Sequence, residues 1–186
     1  MRNLIALLHT SLDGCVATTT GALDFLQMDD QVWEFVDQHI HQSDTGVYGP
    51  TTFQMMESYW PGVLKDPTAQ GHAFRHARWY ADAHKVVFSR KLAKLNNPDA
   101  QLISHNIVDE VIALKKRPGK KLIVLGSPTL VQSLAQLDLI DEFVISVNPI
   151  ILGEGTRMFN GTKRIKLNLV STTQFAHGGV GLHYTK

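Results

Sequence analysis

Lys121-Leu122-Ile123-Val124-Leu125-Gly126-Ser127-Pro128-Thr129-Leu130 sets the fold. Leu122 to Leu125 are apolar without alternation, the pattern of a strand covered on both faces. Gly126 ends the run. A helical pattern follows at once, with Leu130, Val131, Leu134 and Leu137 on one face. A buried strand that turns directly into a helix is half of a parallel β–α–β unit. Ser127 is expected to cap the helix through its hydroxyl, and Pro128 to take the first helical position, where a missing N–H costs nothing.

The same pattern recurs upstream. Leu4 to Leu8 reads as a buried strand, punctuated by Ser11-Leu12-Asp13-Gly14, and Thr18-Thr19-Thr20-Gly21 as loop. From Asp29 the spacing of Val32, Trp33, Phe35, Val36 and Ile40 predicts a helix, with Asp29 or Asp30 as its cap. Strands are expected at 45–49, 85–88 and 101–103, a helix at 108–116, and a short helix from Thr51 that stops before Pro61. Residues 62–78 read as loop plus a helix carrying His72, His76 and Trp79. Downstream, 142–147 reads as a strand, and 166–171 and 181–184 as antiparallel strands. The class is α/β: one domain over residues 1–186, a mostly parallel mixed sheet flanked by helices, with antiparallel C-terminal strands.

Composition removes several function classes. The net charge of +1 argues against a polyanion partner such as nucleic acid. No apolar run approaches the roughly 20 residues of a membrane span, and residues 1–11 lack the pattern of a signal peptide. A single cysteine, Cys15, allows no intrachain disulfide and agrees with a reducing, cytoplasmic setting. His72 and His76 have helical i, i+4 spacing, but Ala73 stands where a zincin-type motif has Glu, and no third ligand is visible nearby. No metal is expected.

The chemistry gathers at strand ends. Gly126 opens a helix whose free N–H groups face the crevice beyond the sheet, a ready anion site. Val47-Tyr48-Gly49-Pro50-Thr51-Thr52 repeats the arrangement, and Phe88-Ser89-Arg90 ends a third strand in a hydroxyl and a guanidinium suited to phosphate. In a parallel sheet all three ends face one edge. Together they suit a ligand with several phosphates, such as a dinucleotide.

Ser11-Leu12-Asp13-Gly14, Gly49-x-x-Thr52, Tyr59-Trp60-Pro61, Val87-Phe88-Ser89-Arg90, Leu125-Gly126-x-x-x-Leu130, Leu139-Ile140-Asp141-Glu142 and Pro149-Ile150-Ile151-Leu152-Gly153-x-Gly155-x-x-x-Phe159 occur in an order and spacing that resembles the dihydrofolate reductase family. The chain is most similar to the branch that holds the reductase domain of the bifunctional riboflavin-biosynthesis enzyme. The resemblance implies an NADPH-dependent reductase of a small heterocyclic, pterin- or riboflavin-precursor-like substrate, and a homodimer. It implies cofactor contacts at Gly49, Thr51, Thr52, Ser89, Arg90, Gly126, Ser127, Thr129 and Leu130, and a nicotinamide and substrate border at Ser11, Asp13 and Gly14. Asp30 stands near the place of the family's carboxylate proton donor, with Asp24, Asp29 and Glu34 as competitors; capping also competes for Asp30, as turn formation does for Asp13. Two departures concern the cofactor turns. Pro50 replaces the family's frequent arginine, and Ser127-Pro128 replaces a second and third glycine. These changes support a second reading, a non-catalytic or differently liganded phosphate-binding member of the same fold.

Overall fold

The computed structural model describes all 186 residues. Its central strand, β1 (Leu4–Ser11), sends Leu4, Ala6 and Leu8 to one side and Ile5 and Leu7 to the other, all buried. Two-sided burial requires a layer on each face. The chain supplies them through β2 (Cys15–Ala17), α1 (Asp30–Ile40), β3 (Ser43–Tyr48), α2 (Pro50–Lys65), α3 (Gly71–Asp82), β4 (His84–Phe88), β5 (Ala100–Ile103), α4 (Ile107–Lys116), β6 (Lys121–Leu125) and α5 (Pro128–Gln136). It ends with β7 (Glu142–Asn148), β8 (Thr156–Arg157), β9 (Asn168–Gln174) and β10 (Val180–Thr185).

The main sheet runs β5-β4-β3-β6-β1-β7-β10-β9. The first six strands in that order are parallel, and β10 lies antiparallel to both β7 and β9. On one face Val111 and Leu114 of α4 and Val131 and Leu134 of α5 pack onto Leu4, Ala6 and Val124. On the other, Val32 and Phe35 of α1, Phe53 and Trp60 of α2 and Trp79 of α3 cover Ile5, Leu7 and Ile123. β2 and β8 form a separate antiparallel pair beside β1.

One local expectation is corrected. α2 does not stop before Pro61 but continues to Lys65. Pro61 removes its own N–H bond to the preceding turn and crowds the Glu57 carbonyl, but buried Phe53 and Trp60 fix the helix on both sides of Glu57. Asp29 is the cap of α1, its Oδ1 accepting from Val32 N at 2.9 Å. His39 is buried: it meets the edges of Phe35 and His183, and burial lowers its pKa to about 4. His41 on the next turn is exposed. Where α3 crosses α1, buried Asp37 is held by Arg75 at 2.7 Å, and its other oxygen lies 2.7 Å from His72 Nδ1.

Candidate cofactor site

Parallel strands place the C-terminal ends of β3, β4, β5 and β6 along one edge of the sheet, and a cavity of about 1020 Å³ opens there. Gly49, Pro50, Thr51 and Thr52 form one wall. Ser89, Arg90 and Lys91 beyond β4, and Ser104, His105 and Asn106 beyond β5, form another. Ser127, Pro128, Thr129 and Leu130 open α5 against both. No aspartate or glutamate lines the cavity, whereas Arg90 and Lys91 do. Arg90 is exposed and carries no ion pair. Ser89 is buried, and its Oγ accepts from the backbone N–H groups of Lys91 and Leu92 at 3.3 and 3.2 Å. That turn fixes the chain from which both cations extend.

Two helices begin at the cavity, each with proline at its first position: Pro50 in α2 and Pro128 in α5. The next N–H groups, of Thr51 and Thr52 and of Thr129 and Leu130, belong to first turns that have no intrahelical acceptor. They give the wall positive partial charge, suited to an anion.

Ser127 departs from its expected role. It occupies the N-cap position of α5 but makes no capping bond. Its Oγ instead accepts from Gly49 N at 2.9 Å, tying the β3–α2 turn to the β6–α5 turn. The backbone is left-handed at Gly126 (φ 57°) and again at Ser127 (φ 53°, ψ 62°). A non-glycine residue there costs roughly 1–2 kcal/mol. Gly126 lies behind the wall rather than in it; a Cβ there would sit 3.8 Å from the Thr52 methyl.

Ser11, Asp13 and Gly14 form a hydrogen-bonded turn after β1. Ser11 is fully buried, donating to Asp13 Oδ1 at 2.7 Å and accepting from Cys15 N at 2.9 Å. The Asp13 carboxylate accepts from Leu152 N and Gly153 N at 3.0 and 2.9 Å, and Arg157 donates to the Asp13 carbonyl. The Ser11 hydroxyl first, then the Leu152 amide, lowers the Asp13 pKa to about 2. Ser11, Asp13 and Gly14 therefore stand outside the cavity wall and brace the loop; the chain beyond them reaches the wall at Ala17 and Gly21. Asp30 is exposed in the first turn of α1 and is not part of the wall. The sequence reading missed Lys91 and the 104–106 turn. The signal was the end of β5, a parallel strand that had to reach the same edge.

A mostly parallel sheet closed by two antiparallel strands, with its cleft at the carboxyl ends, is the architecture of the dihydrofolate reductase class. The dihydrofolate reductase of Enterococcus faecalis complexed with NADP(H) and RAB-propyl shares the fold, with a TM-score of 0.66 at 14% identity over 98% of this chain and 95% of that one. Within that class the chain belongs to the RibD C-terminal domain family, matched over residues 2–180. A putative riboflavin biosynthesis protein from Shewanella sp. PV-4 superposes with a TM-score of 0.72 at 21% identity, covering 98% of each chain. The uncharacterized Bacillus subtilis protein YyaP is 35% identical over 98% of this chain and 94% of its own length.

Proposed function

We propose that the chain is an NADPH-dependent reductase that delivers a hydride to a small heterocyclic, pterin- or riboflavin-precursor-like substrate. The observation that carries this reading is the cavity wall: two helix starts and two cations face it, and no carboxylate does. Such a wall selects an anion that spans several strand ends, which a dinucleotide does. The first-turn amides of Thr51, Thr52, Thr129 and Leu130 would hold the pyrophosphate, with Gly49, Gly126 and Ser127 shaping the two turns. Arg90, positioned by Ser89, would meet the 2′-phosphate. When bound, NADPH would supply the hydride from nicotinamide C4; the protein would orient the ring and exclude water. Ser11, Asp13 and Gly14 would act as positioning residues, holding the loop that brings Ala17 and Gly21 to the cavity.

The second reading, a non-catalytic or differently liganded member, is favoured by one feature. The Gly49 N–H is taken by Ser127, and Pro128 has no N–H, so two donors are withdrawn from the wall. The reductase reading is tested by NADPH consumption across a panel of pterins and ribitylamino-pyrimidines. Turnover with one of them is expected; cofactor binding without turnover on any would favour the second reading.

A homodimer is part of the proposal. Every residue of the edge strand β9 is exposed, with Leu169 and Val170 more than half so, and an uncovered edge favours pairing. No helix is long and apolar enough to cross a membrane. A cytoplasmic location is proposed from the single cysteine, which is buried.

A further inference from the structure

The strongest unassigned cluster lies between α1 and α3. Asp37, His72 and His76 each offer a ligand atom, all within 4.8 Å of one another. His76 is 4% exposed, and neither of its ring nitrogens has a hydrogen-bond partner; Nε2 of His72 is likewise buried and unpartnered. A buried imidazole with both nitrogens idle is rare in folded proteins and calls for a missing partner. The rings are also held in place. Trp33 stacks on His72 with centroids 3.9 Å apart, and Trp60 stacks on His76 at 4.0 Å, each at an interplanar angle of 14°.

We propose that Asp37, His72 and His76 form a binding site for one divalent transition-metal ion of the zinc type. Two imidazoles and one carboxylate make a borderline donor set that suits zinc or cobalt and is too nitrogen-rich for magnesium or calcium. Three protein ligands leave a fourth position for water. A tetrahedral ion about 2.1 Å from each ligand needs ligand atoms about 3.4 Å apart, a spacing that small side-chain rotations can reach from ligand atoms that already lie within 4.8 Å of one another. His72 and His76 are one turn apart on α3, and Asp37 comes from α1, so the ion would join the two helices. The i, i+4 histidines lacked a third ligand in the sequence; the fold brings it from 35 residues upstream.

The test uses the full-length protein without an affinity tag, stripped with a chelator and titrated with Co²⁺ and then Zn²⁺. Binding of one ion per chain is expected, with a rise in melting temperature. Co²⁺ held here should quench tryptophan fluorescence strongly, because two of the three tryptophans stack on ligand rings. His76→Phe, which keeps a ring against Trp60, and Asp37→Asn should each weaken the binding at least about tenfold. Circular dichroism identifies any variant that fails to fold, and the quenching of the wild type stands without either. No saturable binding, binding without quenching, or unchanged affinity in a folded variant would overturn the proposal.

Discussion

Ser127 has two roles that conflict. Its hydroxyl ties the β3–α2 and β6–α5 turns together, yet it holds a left-handed backbone and withdraws the Gly49 N–H from the cavity. Ser127→Gly removes the strain and frees the donor. The expected outcome is tighter NADPH binding, by roughly 3- to 10-fold, the worth of about one hydrogen bond. Unchanged or weaker binding would show that the tie matters more than the donor. Asp13 is a second case. Its carboxylate has a lower pKa in the folded chain than its ordinary 3.8, so the unfolded chain takes up the proton first as pH falls. The stabilisation is complete above about pH 4 and is lost as pH falls towards 2. Asp13→Asn should therefore lower the melting temperature at neutral pH, and the gap from wild type should narrow between pH 4 and 2. A gap of equal size across that range would contradict the brace. Asp30 is the opposite case: exposed and outside the wall, it should tolerate Asp30→Asn with turnover nearly unchanged, against the roughly 100-fold loss expected of a general acid.

At the scale of elements, the strands were the most legible part of the sequence. Leu122 to Leu125 and Leu4 to Leu8 carry unbroken apolar runs because helices cover both faces, and no other environment rewards that pattern so consistently. α2 runs past the proline expected to end it, because buried Trp60 immediately precedes Pro61. Packing outweighs one absent hydrogen bond. Pro61→Ala should restore that bond and stabilise the protein by about 1–2 kcal/mol, after allowing for the extra freedom of the unfolded chain. A lower melting temperature would mean that the proline ring is itself packed to advantage. The burial of His39 could not be read, since its neighbour His183 lies on the last strand, far along the chain. The cavity was legible in outline for a geometric reason: parallel strands must end at one edge. What individual side chains do there was not. The Ser127–Gly49 bond joins residues 78 apart, and no local pattern encodes it.

At the scale of the whole molecule, charge is distributed unevenly on a nearly neutral chain. The net charge of +1 conceals a cavity wall with cations and no carboxylates, while acidic groups such as Asp13, Asp37 and Glu142 are used internally, each paired with a base or an amide. That partition is the basis for placing a phosphate-rich ligand in the cleft. The most direct test is a calorimetric titration of the purified protein with NADPH, repeated with NADH and with Arg90→Ala. Saturable binding of one NADPH per chain is predicted, with a modest preference over NADH of about tenfold or less, consistent with one exposed guanidinium and no arginine at position 50. Arg90→Ala should erase that preference and leave NADH binding intact. Absence of binding at about 1 mM NADPH, which would place the affinity weaker than roughly −4 kcal/mol, would contradict the account.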